Sequence, residues 1–296
     1  MRRGGAWTGC WWVALQCTET RKSQKMASGV AASRSELSML VGIPSSIHAR
    51  REAFRCSLRA QPTCARCRHV FILGHDRTAP PDLRAADVLQ IDVQEGLQAY
   101  LPAAAAARHR GSFTGSLTGA LKVALFLRHA AAHARERIIG RLDDDLFVAF
   151  PALEAYAAAL LRGAWEQRTS PTFVAGTFEY SSFIPSRLAA TGWGLNAAWA
   201  GARGRRLHNC SRITPGTHRH TEHCYGPFAF AKGPLQLFSH ATVRRLVSDE
   251  TTFAIDVRDA ESRFRHLNAS MVHDDIQTGY WLARASIRAT NSASCT

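Results

Sequence analysis

The chain has 296 residues, enough for one large domain or two small ones, and its 46% hydrophobic content is ordinary for a globular protein. A formal charge of +14 favours phosphate-bearing or otherwise anionic partners. Eight cysteines over this length exclude a dense disulfide scaffold, and the absence of zinc-finger spacing and of an aromatic-interleaved RNA-binding signature argues against nucleic acid.

Residues 1–36 differ from the rest. Arg2 and Arg3 precede a short apolar run, Ala6 to Cys17, as in a targeting sequence. The run is shorter than the about 20 apolar residues that span a bilayer. A polar, basic linker follows from Thr18 to Glu36, and a single folded domain is expected over 37–296.

Met39 to Pro44 is an apolar run stopped by proline, hence a buried strand. His48 to Arg59 has helical spacing and carries Arg51 and Arg55, four apart on one face. Val70 to Gly74 and Val88 to Val93 read as the next strands. Ala103 to Ala107 and Leu117 to Ala132 are strong helix formers. Arg137 to Leu142 is a fourth strand, Pro151 to Gly163 a helix with proline in its first turn, and Phe173 to Phe178 another strand. Residues 185–224 are expected to be irregular. The glycine- and proline-punctuated stretch Gly226 to Pro234 reads as a turn whose backbone, at Gly233, approaches a ligand, ahead of a helix from Leu235 to Val247. Strands alternating with helices predict an α/β fold with a mostly parallel mixed sheet, and ligands in such sheets bind beyond the carboxyl ends of the strands.

The acidic triplet Asp143-Asp144-Asp145 lies at such an end. Three adjacent like charges repel, and a divalent cation relieves that repulsion. In an extended backbone Asp143 and Asp145 would face one ion together, with Asp144 turned aside. Carboxylate oxygens suit Mn2+ or Mg2+, with substrate phosphates completing the shell. A second acidic pair, Asp274-Asp275, stands where a helix is expected to start, a place where carboxylates also serve as caps. Among the cysteines, Cys64-Ala65-Arg66-Cys67 is a lone CxxC. Cys210 and Cys224 flank His218, His220 and His223, where a loop-closing disulfide is favoured over zinc. Asn209 and Asn268 head N-glycosylation triplets.

Taken in order, these pieces resemble glycosyltransferase family 31, the β-1,3-galactosyltransferase-like group that includes the β-1,3-N-acetylglucosaminyltransferases and the Fringe enzymes. The family's R-x-x-x-R helix is matched by Arg51 to Leu58, its F-L-L-G-like strand by Phe71 to Gly74, and its D-I-L segment by Asp87 to Leu89. Its L-T-x-K helix corresponds loosely to Leu117 to Lys122, its D-D-D-x-F-V motif to Asp143 to Val148, and its closing E-D-V-x-x-G to Asp274 to Gly279. A Tyr- and Pro-containing family segment is approximated by Tyr225 to Ser239. Leu58 stands where the family has tryptophan. No histidine follows His273, which leaves one coordination position of the ion to water, or points to a shortened chain or an impaired enzyme.

The resemblance implies a GT-A-like three-layer α/β/α sandwich and inverting transfer of a hexose from a UDP-sugar donor to an acceptor glycan or glycoprotein. It implies Mn2+ or Mg2+ held by Asp145 and Asp143, with Asp144 on water or donor hydroxyls. Asp275 is the expected base, with Asp274 second. Arg51 and Arg55 are assigned to the nucleotide pocket or to internal ion pairs, and Lys122 and Gly233 to the donor pocket. It further implies a Golgi membrane protein with a lumenal catalytic domain. An alternative is a catalytically impaired relative that binds carbohydrate or nucleotide.

Overall fold

The computed structural model describes residues 38–62, 64, 66–75, 80–95, 114–166, 172–184, 189–194, 225–248, 252–253, 257, 274–285 and 287. The segment 1–36, the alanine run 103–107, Cys210, Cys224 and the histidines between them, Asn209 and Asn268 lie outside these residues.

The elements are β1 (Met39–Pro44), α1 (His48–Arg59), β2 (Cys67–His75), β3 (Val88–Gln94), α2 (Thr114–His133), β4 (Ile138–Leu142), α3 (Phe150–Glu166), β5 (Val174–Ile184), β6 (Ala189–Gly194), β7 (Tyr225–Ser239), α4 (His240–Val247) and α5 (Asp274–Arg284). Seven strands form one sheet in the order β3-β2-β1-β4-β7-β5-β6. The first four are parallel, and β7, β5 and β6 join antiparallel, so the α/β fold is mixed with a parallel core.

Side-chain alternation divides the sheet between two apolar clusters. Leu40, Ile72, Ile139 and Phe238 pack with α2, α4 and α5. Their neighbours Met39, Val41, Phe71, Ile138 and Leu237 pack with Phe54 of α1 and Leu153 and Ala157 of α3. Helices therefore cover both faces, and β1 and β4 are apolar apart from Arg141 because neither face meets water. No helix among the described residues is long and apolar enough to cross a membrane.

Three expectations are corrected, the third being the turn read over Gly226 to Pro234, which lies within β7. Residues 189–194, read as irregular, form β6 and pair with β5. The helix expected from Leu235 begins only at His240. Leu235 to Ser239 instead continue β7 between β4 and β5, because a central position buries Leu237 and Phe238 on opposite faces. Ser239 then caps α4, accepting the Thr242 N–H at 3.1 Å.

The punctuated stretch 226–234 belongs to the same long strand, which bulges. Gly176 pairs with Gln236, but Phe178 pairs with Ala231, so β7 carries residues 232–235 opposite the single residue 177 of β5. Pro234 has no N–H to give the ladder, and Gln236 Nε2 closes the excursion by donating to Ala231 O at 2.6 Å. The bulge pushes Gly233 toward the end of β4. Below it, α5 rides close on β7, because a Cβ at Gly279 would overlap Phe230.

Candidate active site

The parallel register of β1 and β4 pairs Gly42 with Arg141, so Ser45 and the acidic triplet emerge at the same edge. β4 ends at Leu142, and Asp144 and Asp145 lie in a turn. The triplet is not extended, so strand alternation does not aim its side chains; the turn does. Asp144 faces β1 and α1, accepting from Ser45 Oγ at 2.7 Å and from Arg50 Nη1 at 2.9 Å. Asp145 is 61% exposed, with Arg50 3.7 Å away.

Asp143 faces the other way, toward Arg141. Arg141 follows Ile139 by two residues and so points to the α2 and α5 face of the sheet. It is 4% exposed. Its guanidinium meets Asp143 Oδ1 at 2.8 Å and also engages Asp274 Oδ2 and the Gly233 carbonyl. Gly233 N–H donates to Asp275 Oδ2 at 3.1 Å, and Ile276 N–H donates to Asp275 Oδ1 at 2.7 Å. The two acidic groups, far apart in sequence, therefore meet about one buried arginine and one glycine. Asp274 and Asp275 also sit in the first turn of α5, where the helix dipole favours negative charge.

Charge is crowded here. Asp143 is pushed up to about 7, by burial first and then by Asp274, Asp145 and Asp275, against the pull of Arg141. Burial and Asp274 also raise Asp275. The charge of Arg141 is favoured by Asp274, Asp143 and Asp275 against the cost of its burial. Asp143 keeps 37% side-chain exposure, so water screens part of the effect. A carboxyl raised on folding contributes stability below its unfolded pKa of about 4, and that contribution is lost as pH rises through its folded value. The chain is therefore expected to melt at lower temperature as pH rises from about 5 to 8. Thermal melts across that range check this.

The donor set suits a hard divalent cation. Arg141 takes only Oδ1 of Asp143. A Cβ on Gly233 would stand 3.3 Å from Arg141 Nη1, 3.4 Å from Asp143 Oδ2 and 3.7 Å from Asp275 Oδ2, so glycine leaves room between these oxygens, with the Arg141 guanidinium on one side of it. Among the described residues, the groups holding three ligand atoms within 4.8 Å of one another are Cys64, Cys67 and Glu154, and His48, Glu52 and Asp82. The triplet is not one of them, so phosphate or water oxygens would complete a shell begun by Asp145 and Asp143.

Arg51 and Arg55 reach neither the triplet nor Asp275. Arg51 is 0% exposed and holds Asp82 through two bonds, Nε at 2.8 Å and Nη2 at 2.6 Å. Arg55 grips Asp87 through two bonds of 2.7 Å and reaches Asp82 at 2.8 Å. These are the internal ion pairs of the two sequence alternatives, fastening α1 to the segment before β3. Of the arginines of α1, the one whose guanidinium contacts the triplet is Arg50. The bonds from Arg51, then those from Arg55, hold Asp82 far below the usual carboxylate range. That stability is present above about pH 4 and is lost as pH falls through the depressed value. Arg51→Met leaves Asp82 with one guanidinium partner, Arg55, instead of two, and is expected to cost about 3 kcal/mol, read as a lower urea midpoint at unchanged slope.

Lys122 is buried, with Nζ paired to Glu95 and donating to Ser45 O at 2.8 Å. Burial lowers its pKa, opposed by Glu95. It braces the end of β1, whose Ser45 holds Asp144. Arg141, Arg50, Ser45 and Glu95 were not singled out by sequence reasoning. Arg141 was findable: a charge at an inward position of a buried strand demands a partner. Ser45 and Glu95 carry no such mark.

Compared with known protein families, the chain matches no family model, and no curated protein matches it.

Proposed function

We propose that the chain is an inverting hexosyltransferase that moves galactose or an N-acetylhexosamine from a UDP donor to an acceptor glycan hydroxyl, with a β-1,3 linkage. The observation that carries this reading is the meeting of Asp143 with Asp274 and Asp275 about Arg141 and Gly233. Helices on both faces of the sheet, with the acids beyond the carboxyl ends of β1 and β4, support a GT-A-like three-layer sandwich as part of the same proposal.

Asp275 takes the proton of the acceptor hydroxyl while that oxygen attacks the anomeric carbon from the face opposite the diphosphate, which inverts the carbon. Its raised pKa makes it a stronger base than a solvated aspartate, and two backbone N–H groups hold it in place. Arg141 fixes Asp274 and Asp143. Asp145 and Asp143 would hold Mn2+ or Mg2+, which when bound neutralises charge on the departing diphosphate. Arg50 and Ser45 turn Asp144 toward α1 and β1, which would leave the ion to Asp145 and Asp143. A glycoprotein acceptor and a Golgi membrane location complete the proposal and rest on the motif resemblance alone.

A second reading, an impaired relative that binds sugar or nucleotide, is favoured by one observation: Arg141 already occupies both Asp143 and Asp274. A screen of UDP-galactose, UDP-N-acetylglucosamine and UDP-N-acetylgalactosamine with and without Mn2+ separates the two. Metal-dependent transfer supports the enzyme. UDP binding without turnover supports the relative. Neither binding nor turnover removes both.

A further inference from the structure

The Cys64–Cys67 pair lies outside the acidic centre, and the proposed reaction does not use it. The two sulfurs are joined in a disulfide, and both residues are half-buried in the connection from α1 to β2. A structural crosslink stabilises mainly by closing a long loop in the unfolded chain. This one closes a sequence separation of only 3. Backbone bonds already fix the stretch: Met39 N–H donates to Arg66 O at 2.9 Å, and Cys67 N–H to Cys64 O at 3.3 Å. Cys67 is also in register with Met39. The crosslink adds little that the backbone does not hold.

A second observation concerns Glu154, one turn into α3. Its Oε2 stands 3.3 Å from Cys64 Sγ. A carboxylate at that distance has nothing to accept from a disulfide, which carries no proton. It does serve a thiol, whose proton it can take.

We propose that Cys64 and Cys67 form a reversible thiol–disulfide exchange site, with Glu154 handling the proton of Cys64. An external thiolate attacks Cys67 Sγ, since the Glu154 charge repels it from Cys64. The S–S bond breaks, Cys64 leaves with the electron pair, and Glu154 relays to it the proton that the external thiol shed on ionising. A second external thiol then attacks the mixed disulfide, releasing Cys67 as a thiol and the reductant as its own disulfide. Two electrons and two protons pass from the reductant to the pair, and oxidation runs the same steps in reverse. The same connection is tied to the segment after the acidic turn. Gln61 Nε2 donates to Val148 O at 2.8 Å, and Phe150 N–H donates to Gln61 Oε1 at 3.0 Å.

The test equilibrates the full-length native chain in buffers of reduced and oxidised glutathione, then counts thiols at residues 64 and 67 by alkylation and peptide mass mapping. The expected result is reversible half-reduction at millimolar glutathione without loss of the folded state. Glu154→Gln, which keeps the shape but not the charge, is expected to slow exchange about tenfold near neutral pH and to remove one limb of its pH–rate profile. Cys64→Ser/Cys67→Ser is expected to melt within about 2 °C of wild type. A pair that is reduced only when urea unfolds the chain would overturn the proposal. So would an unchanged pH–rate profile in Glu154→Gln, or a double serine variant that loses about 10 °C or more, which would mark a structural crosslink. None of these readouts depends on the reaction assigned to the acidic centre.

Discussion

Asp275→Asn is expected to lower kcat for sugar transfer about 1,000-fold while leaving the affinity for the UDP donor nearly unchanged. Asparagine is nearly isosteric with aspartate, and its amide oxygen can still accept from Gly233 N–H or Ile276 N–H, so the start of α5 should stay in place. What disappears is the proton acceptor. The wild-type rate should rise with pH as Asp275 ionises, above the range of a free aspartate because burial and Asp274 raise its pKa. That rising limb should vanish in the variant. Donor affinity is read by calorimetry and turnover by product formation. Retention of full turnover in Asp275→Asn would remove the base assignment.

Arg141→Met has the larger expected effect on stability. Arg141 is the cation shared by Asp143 and Asp274, and Asp275 lies in its field. Without it, three partly buried carboxyls face one another with no compensating charge. Breaking a buried ion pair from one side typically costs about 3–5 kcal/mol, and the variant should lose that much above neutral pH. The loss should shrink as pH falls, because the acids then protonate and the repulsion ends. Adding Asp274→Asn to Arg141→Met should recover part of the loss, since one of the stranded charges is gone. Urea denaturation at two pH values measures both effects. A single variant as stable as wild type at high pH would mean that water, not Arg141, neutralises the cluster.

How much of this was legible beforehand depended on which physical rule governed each segment. Apolar runs stopped by proline or glycine marked β1 and β2, alternation marked β3, and the apolar run into the acidic triplet marked β4, each to within a few residues. The two acidic groups were visible as charge beside apolar runs. Their meeting was expected only through the family resemblance, since nothing local to Asp143 or Asp274 specifies the other. The β7 error has a clear cause. Gly226 to Pro234 looked like a turn because Gly233 and Pro234 do interrupt the ladder, but as a bulge within a strand rather than its end. Leu235 to Phe238 then looked helical only because the strand on either side of the bulge had been overlooked. Arg50, Arg51 and Arg55 show the limit of composition. All lie on α1, yet only Arg50 turns toward the triplet, and that choice is made by where Asp82 and Asp87 fold back.

The strand order also bears on synthesis. β4 is hydrogen-bonded to β1 on one side and to β7 on the other. As the chain leaves the ribosome, β1 and β4 can associate early, whereas β7 starts only at Tyr225. Through that interval the free edge of a strand that is wholly apolar apart from Arg141 has no mate, a template for pairing with neighbouring nascent chains. Chaperone dependence and aggregation on overexpression should therefore concentrate in fragments that stop before residue 225, and longer fragments that include all of β7 should escape them.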